Sequence, residues 1–348
     1  MAIVTLVSAG GSPGVTTTAL GMALLWPRNC LLVDADPCPN QAVLAGYLQG
    51  SVDTNGRGLP WVAEAYRRAV PLEDVVFEQS LLLPPLPWRS SRTLRASGAS
   101  SEDNNPEPGM RVSHADNTSD TPAPAHAGGR ARRSELGHGA RFVPGYTHPG
   151  ASGMFAPVWS AFATALAHVS ETQGCDVIVD LGRLGADGVP RPLLQASQQV
   201  LVVTRSSLRS LARLRLQVAA LREAAEHAGK ARSLSLVVVG PNLPYSVSEV
   251  SAQFSLPVLG DIPYVPTEAA VLSDGRASSA RGNHTRLSSA YVRLASQLRE
   301  QDAAWASRLR TRDAHVNVPW LDVDEDADPF LGVEQARQAG PARQVVSV

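Results

Sequence analysis

The sequence has almost no lysine. Lys230 is the single lysine among 348 residues, so arginine carries nearly all of the positive charge. Lysine and arginine together number 31, against 32 aspartates and glutamates, which gives a formal net charge of −1. This balance does not support a globally basic nucleic-acid binder, although it leaves room for nucleic-acid contact at a local basic patch. The preference for arginine also means that a missing lysine is, by itself, weak evidence of a lost function.

Cysteine and long apolar runs are scarce as well. The three cysteines, Cys30, Cys38 and Cys175, lie far apart and lack the spacing of a metal site. Reduced thiols in a cytoplasmic protein are the simplest interpretation. No stretch of about 18 or more apolar residues occurs, which predicts no integral membrane segment. The apolar start has no basic flank and is followed by glycines, unlike a signal peptide, so the expected location is the cytoplasm.

Apolar runs alternate with helical patterns along much of the chain. The first two strands are predicted at 3–7 and 30–34, and a glycine-rich turn and a helix over 15–25 connect them. Their apolar residues do not alternate with polar ones, which is typical of a parallel sheet covered on both faces. Further strands are predicted at 176–180, 199–203, 234–239 and 257–260, and further helices at 208–227 and 286–300. The predicted fold class is therefore α/β, a mostly parallel sheet with helices on both faces in three layers.

Two segments depart from this pattern. Residues 88–139 are dominated by small and polar side chains and have almost no large aliphatic ones, which predicts a disordered insertion. Residues 308–348 combine an acidic cluster with a few apolar side chains. We interpret them as a flexible acidic tail, with a short partner-binding peptide as the alternative. The predicted organisation is a single domain, 1–307, interrupted by the insertion and followed by the tail.

A glycine-rich loop joins the first strand to the first helix. Its residues, and the first residues of the helix, are Gly10, Gly11, Ser12, Gly14, Val15, Thr16 and Thr17. Glycines in such a loop let backbone N–H groups point at a phosphate, and the helix N-terminus adds the positive end of its dipole. The hydroxyl of Thr16 stands where a P-loop coordinates Mg²⁺. The alternative interpretation is a tight strand-to-helix turn that binds nothing.

Five segments, taken in order, resemble the ParA/MinD-type P-loop ATPases, which carry a deviant Walker A motif written KGGxGKTT. They are the loop at 9–17, the strand and turn Leu31-Leu32-Val33-Asp34-Ala35-Asp36-Pro37, the strand Ile178-Val179-Asp180-Leu181-Gly182, the strand 199–203, and Pro257-Val258-Leu259-Gly260-Asp261-Ile262-Pro263-Tyr264. The resemblance covers residues 1–50, 142–205 and 234–275. Five motifs in the right order are far more specific than one glycine loop.

The loop departs from the family in its charge. When Gly14 is aligned with the last loop glycine, Val15 takes the place of the P-loop lysine. Gly10 then takes the place of the signature lysine, which in the family reaches the phosphates of the opposite subunit. Valine cannot replace a point charge on the phosphates, so we expect hydrolysis to be slower by about a thousandfold or more. Arg183 or Arg205 is a candidate source of replacement charge.

The resemblance also assigns roles to individual residues. Its implied metal site is Thr16, Asp34 and Asp180, and its implied catalytic residues are Asp36, which orients the attacking water, and Asp180. Gly182 would offer its N–H to the γ-phosphate, and Asn242 would contact the adenine. The implied cofactors are ATP and Mg²⁺, and the implied assembly is a homodimer with a further protein partner. In the alternative interpretation, Asp34 and Asp36 only cap the next helix.

Two expectations concern side-chain orientation. Asp176 precedes its strand and is predicted to face solvent. In the helix at 208–227, the leucines at 208, 211, 214 and 216 are predicted to pack inward, while Arg209 and Arg213 share a solvated face.

The function that these observations favour is a nucleotide-binding regulatory or positioning protein with a degenerate P-loop and weak or absent ATP hydrolysis. One alternative is an active, slow ATPase of the same type, in partitioning, localisation, secretion or pilus assembly. The other is a pseudoenzyme scaffold that binds no nucleotide. The fold alone does not select the cellular process.

Overall fold

A computed structural model describes residues 2–10, 13–38, 42–51, 54, 56–86, 139–148, 150–185, 188–277 and 285–315, with side chains described as far as 301. The chain divides into two compact units, Met1–Asp302 and Ala303–Val348. The first unit holds the sheet and the cleft described below. Of the second unit, the structure describes only the final turns of the last helix.

An eight-stranded sheet runs through the first unit, in the order β3-β4-β2-β5-β1-β6-β7-β8. Every described pair is parallel except β3 with β4, which is antiparallel. The strands are β1 (Ile3–Ser8), β2 (Cys30–Asp34), β3 (Leu81–Leu82), β4 (Ala140–Val143), β5 (Asp176–Arg183), β6 (Gln199–Arg205), β7 (Leu234–Val239) and β8 (Val258–Ile262).

Helices connect the strands and cover the sheet. In chain order they are α1 (Val15–Leu25), α2 (Leu59–Arg67), α3 (Leu72–Glu78), α4 (Ala151–Met154), α5 (Trp159–Gln173), α6 (Arg191–Ala196), α7 (Leu208–His227), α8 (Val247–Phe254), α9 (Pro266–Ser273) and α10 (Arg286–His315). A π-helical segment spans Ala42–Tyr47, and single 3₁₀ turns span Ala156–Val158 and Ala231–Ser233. None of the helices within the described ranges is both long and apolar enough to cross a membrane.

The core consists of two apolar layers, one on each face of the sheet. Alternate residues of β1 show the division, because Ile3 and Val7 belong to one layer and Val4 and Leu6 to the other. Side chains of α2, α3, α5, α6, α7 and α8 fill the first layer, and those of α1, α9 and α10 fill the second. Because both faces are buried, the strands are apolar at most positions. The predicted three-layer α/β fold is confirmed.

The packing of α10 on α1 is close. Tyr291 of α10 is buried, and its ring lies where a Cβ on Gly21 of α1 would have to be. Burial raises the pKa of the Tyr291 hydroxyl far above its usual range, although a hydrogen bond with Thr18 of α1 lowers it. The glycine at position 21 therefore lets the last helix contact the backbone of the helix that begins at the phosphate loop.

Two predicted orientations are wrong. Asp176 is fully buried. Its carboxylate accepts hydrogen bonds from the Ala2 N–H at 2.9 Å, Trp26 Nε1 at 2.7 Å and both Nε and Nη2 of Arg28. These partners satisfy a charge that an apolar interior would otherwise exclude. In α7, Leu211 and Leu214 are buried as predicted, but Leu208 and Leu216 are 67% and 82% exposed, because only one side of this helix rests on the sheet.

The predicted insertion and tail fall mostly outside the described residues. Gly139, the last residue of the predicted insertion, is described: its carbonyl accepts the N–H of Cys30, and its N–H bonds Asn29 Oδ1. At the other end, α10 continues past the predicted end at 300 to His315, and so enters the segment predicted as tail. The acidic cluster of that segment lies outside the described residues.

Candidate functional site

A cleft of about 600 Å³ opens at the carboxyl ends of the parallel strands. Its walls include the ends of β1, β5 and β6, the start of α1, the turn after β2, and the segment after β8. The lining residues used below are Gly14, Val15, Thr16, Thr17, Thr18, Asp36, Gly182, Arg183, Arg205 and Tyr264. This edge of an α/β sheet is where ligands generally bind, because several loops converge there.

The phosphate loop ends at the N-terminus of α1. Gly14 adopts a left-handed conformation, with φ of 92°, and its carbonyl accepts the first helical hydrogen bond from the Thr18 N–H at 2.8 Å. Among the described residues, no side chain caps this helix, and its first turn contains no acidic residue. Its first N–H groups therefore remain available to an anion, with the helix dipole behind them. Gly11 and Ser12 lie outside the described residues, and Gly10 is described and buried.

The residues that follow Gly14 differ in what they can offer a ligand. Val15 is only 4% exposed and packs with the apolar layer around Leu6 while it lines the cleft. Thr16 and Thr17 are partly exposed on the same wall. The wall therefore presents hydroxyl groups and backbone N–H groups, and position 15 contributes no charge to it.

Two of the predicted acids face each other across neighbouring strands. Asp34 ends β2 and Asp180 lies in β5, and the two are paired in the parallel register. Burial, and then the charge of Asp180, raises the pKa of Asp34 to about 8. Burial likewise raises the pKa of Asp180 to about 6, although the hydroxyl of Thr16 and the N–H of Gly182 lower it. A nearby cation would relieve the cost of holding both charges in this place.

One oxygen of Asp180 lacks a hydrogen-bond partner. Oδ1 accepts the Gly182 N–H at 2.8 Å, whereas Oδ2 is buried and has no hydrogen-bond partner among the described residues. A buried carboxylate oxygen without a partner is costly and rare in native proteins. The oxygen is therefore chemically suited to a hydrogen bond from a metal-bound water.

Asp36 stands at the end of the turn after β2. Burial raises its pKa, and the Cys38 N–H at 2.9 Å from Oδ1 and the charge of Arg183 lower it. The carboxylate of Asp36 packs directly on the Cα of Gly182, where a Cβ would overlap it, and Gly182 has a φ of 56°. Only glycine therefore fits at position 182, both for its backbone conformation and for the space it leaves.

The carboxylate of Asp34 also packs closely on a glycine. A Cβ on Gly145, which follows β4, would lie 2.8 Å from Cγ and 2.9 Å from Oδ2 of Asp34. The sequence analysis did not identify Gly145, because its approach to Asp34 depends on the pairing of β4 with β2 and on no local motif.

The cleft lining also includes an arginine that packs on an aromatic ring. The guanidinium carbon of Arg205, at the end of β6, lies 4.9 Å from the ring centroid of Tyr264. Arg205 Nε is buried without a hydrogen-bond partner among the described residues, and Tyr264 is 49% exposed. Such a pair offers a flat, polar surface to a ligand.

The structure brings most of the predicted residues to one edge of the sheet, although Asp34, Asp180 and Asn242 are not among the residues that line the cleft. Asp34, Asp36, Asp180, Gly182 and the start of α1 all lie at the same edge of the sheet. Asn242 is exposed in the turn after β7, its N–H donates to the Tyr245 carbonyl at 2.8 Å, and it does not contribute to the described walls of the cleft. Arg205 and Tyr264, by contrast, do line the cleft.

The donor set fits magnesium that arrives with phosphates. No group of three His, Cys, Asp or Glu side chains in the described ranges has the geometry of a complete metal site. Mg²⁺ commonly uses one or two protein oxygens, with phosphates and waters as its other ligands. One hydroxyl at Thr16 and the unpartnered Oδ2 of Asp180 are the oxygens that this mode of binding needs.

Comparison with known proteins gives a likeness in structure only. No family model matches the chain, and no curated protein matches its sequence significantly. A ParA family ATPase from Chlorobium tepidum TLS superimposes with a TM-score of 0.54 at 14% identity, over 84% of this chain and 98% of that one. A chain of the MinC:MinD cell division protein complex of Aquifex aeolicus gives 0.50 at 12% identity, over 86% and 96%. A plasmid partition protein from Borrelia burgdorferi B31, bound to AMPPNP, gives 0.51 at 11% identity, over 86% and 99%.

These similarities define a class of fold. The sheet order, the uncapped α1 after a glycine loop and the acids at the strand ends are those of a P-loop NTPase-like fold. Within that class, the chain has the fold of the ParA and MinD ATPases, as the resemblance in its motifs predicts.

Proposed function

We propose that this protein is a nucleotide-binding switch of the ParA/MinD type, which binds ATP with Mg²⁺ in the cleft and hydrolyses it slowly or not at all. The observation that carries the proposal is that two features occur at the same edge of the sheet. They are the N-terminus of α1, which no described side chain caps, and the buried Oδ2 of Asp180, which has no hydrogen-bond partner among the described residues. The first suits a phosphate group, and the second suits a hydrated cation.

The chain's own residues would divide the work of binding. The N–H groups at the start of α1 would hold phosphate oxygens, and Thr16 would bind the Mg²⁺ that neutralises them. The Gly182 N–H, which the resemblance assigns to the γ-phosphate, instead donates to Asp180 Oδ1 at 2.8 Å and so fixes the orientation of that carboxylate. Asp180 would hold the metal through water, with Asp34 beside it, and Asp36 would orient a water molecule. Mg²⁺, when bound, supplies positive charge to the phosphates.

Slow hydrolysis follows from the lack of a positive side chain at position 15. Phosphoryl transfer depends on positive groups that stabilise the γ-phosphate as it leaves. Val15 supplies none, and its side chain is held in the apolar layer. A protein that binds ATP without consuming it quickly can signal the bound state by a change of shape or of partner.

The process is proposed by analogy. One structural neighbour is named for plasmid partition, and another belongs to a complex of cell division proteins. We infer a role in positioning or partitioning, carried out by a homodimer together with a further protein partner.

Calorimetric titration with MgATP and MgADP tests binding. Wild type should bind at micromolar concentrations, and Thr16→Ala and Asp180→Asn should each weaken binding about tenfold or more. Thr164→Ala is the matched control, because Thr164 is exposed on α5 and bonds only within that helix, to the Ser160 carbonyl. Absence of binding at millimolar nucleotide would instead indicate a scaffold that does not use the cleft.

Phosphate release measures hydrolysis separately. Val15→Lys restores the lysine at the position that the resemblance identifies, and it should raise a slow rate if missing charge is the cause. Rapid turnover by wild type would contradict the proposal and indicate an active ATPase. Light scattering with and without MgATP would show whether the nucleotide changes the fraction of dimer.

A further inference from the structure

Two arginine side chains cross over Gly10. A Cβ on this residue would lie 3.3 Å from Cδ of Arg183, and 3.5 Å and 3.7 Å from Cδ and Nη1 of Arg213. Arg183 is the last residue of β5, and Arg213 lies in the second turn of α7. Side chains from two separate elements therefore occupy the space into which any larger residue at position 10 would point.

The two guanidinium groups have little to balance their charge. No described carboxylate forms an ion pair with either arginine. Nη2 of Arg183 donates to Cys38 Sγ at 3.7 Å, a weak acceptor, and its charge also acts on Asp36. Both arginines are exposed. Two like charges whose stems converge on one point repel each other unless an anion lies between or beside them.

The position of the arginine pair indicates which kind of anion it would bind. Arg183 follows Gly182 and lines the cleft, and Gly10 belongs to the loop that leads to the N-terminus of α1. A ligand held by α1 would place its negative end against this loop. The planar guanidinium group with its fork of donors matches the oxygens of a phosphate group in geometry and in charge.

We propose that Arg183 and Arg213 form a cationic pair that binds the terminal phosphate of the nucleotide and supplies the charge that Gly10 lacks. This inference rests on the proposed function. It explains why the chain can carry a glycine at position 10: the missing side chain makes room for charge that arrives from β5 and α7. The two arginines are binding residues that act on the phosphate chain from the rim of the loop.

Calorimetric titration of single variants tests the pair. Arg183→Gln and Arg213→Gln keep most of each stem and remove the charge, and Arg215→Gln is the control. Arg215 is exposed on the same helix, and two residues of helical rotation direct it away from Arg213. The titrants are MgATP, MgADP and inorganic tripolyphosphate. We expect each of the two test variants to lose about tenfold to a hundredfold in MgATP affinity and less in MgADP affinity, and the control to bind like wild type.

A further variant separates charge from shape. Arg213→Lys keeps the charge but loses the planar fork, so it should recover part of the affinity that Arg213→Gln loses. Because both arginines are exposed, all variants should unfold at the temperature of wild type, and calorimetric melting checks this.

Each pattern of results decides the question. Wild-type affinity for MgATP in Arg183→Gln and Arg213→Gln, or an equal loss in Arg215→Gln, would overturn the arginine pair and leave the proposed function standing. If wild type binds tripolyphosphate but no nucleotide, and the two variants lose that binding, the proposed function fails and the pair remains as a phosphate site. If wild type binds none of the three titrants, both are overturned.

Discussion

Replacement of Gly182 by alanine probes how closely the acidic turn is packed. Gly182 has a φ of 56°, and a Cβ there would overlap the carboxylate of Asp36. Alanine in the left-handed region costs about 1 kcal/mol in backbone strain. Forcing a methyl group into an occupied, buried space typically costs about 1 to 3 kcal/mol more. We therefore expect Gly182→Ala to lower the free energy of unfolding by about 2 to 4 kcal/mol.

Gly188 supplies a matched control. Its φ of 66° is similar, but a Cβ on Gly188 would have no heavy atom of the described residues within 4 Å. Gly188→Ala should therefore show the backbone cost of about 1 kcal/mol alone. The difference between the two variants measures the displacement of the Asp36 carboxylate.

Urea unfolding followed by circular dichroism gives both numbers. The variants should share one slope of free energy against urea, so that a change in midpoint reports stability. If Gly182→Ala is no more destabilising than Gly188→Ala, the Asp36 carboxylate has room to move, and the close packing inferred for this turn is wrong. Loss of MgATP binding in Gly182→Ala but not in Gly188→Ala would add that the same contact matters to the ligand.

Two further predictions concern parts of the core away from the cleft, and both are measured as free energies of unfolding. Gly21→Ala should destabilise the protein by about 1 to 3 kcal/mol because its Cβ would overlap the ring of Tyr291, although alanine is the better helix former. Gly153→Ala is the control and should be neutral or stabilising, because a Cβ there would meet no atom of the described residues within 4 Å. If both substitutions changed the free energy of unfolding in the same direction, the packing inferred for Gly21 would be wrong. Asp176→Ala should cost about 3 kcal/mol or more because it leaves buried donors unpaired. Glu64→Ala removes a partly exposed acid whose two arginine partners lie at the surface, so it should change stability little. An Asp176→Ala variant as stable as wild type would show that those donors find other partners.

The regular elements could be predicted where a pattern was long and local. The bounds of α1, β2, α7 and β7 agree with the sequence, because an apolar run or a helical repeat between clear breakers leaves little choice. The edge strand β3 and its neighbour β4 were not predicted. They have two and four residues, and a long segment of chain separates them, so no local signal links them.

The candidate site was predictable as a set of residues but not as an arrangement. The loop glycines and the acids at the strand ends follow motifs, and motifs can be read in a sequence. The burial of Asp176 depends on Trp26 and Arg28, which lie about 150 residues earlier in the chain. The convergence of Arg183 and Arg213 likewise depends on how α7 is placed beside β5. Such contacts between distant residues are products of the fold.

The burial of both faces of the sheet has a consequence for how accurately the chain can fold. In a half-exposed sheet, a slip of one residue turns the apolar side of a strand to water, and this penalty enforces alignment. Here β1 carries apolar side chains on both sides, so a slip exchanges one apolar layer for another at little cost. Buried polar contacts therefore fix the register between the strands. Examples are the Ala2 N–H with Asp176 at 2.9 Å and Thr5 with Ser197 at 2.8 Å. The cleft is formed by the ends of these same strands, so a register error of one residue would misplace the groups that they contribute. The polar contacts therefore maintain the geometry of the cleft even though they lie outside it.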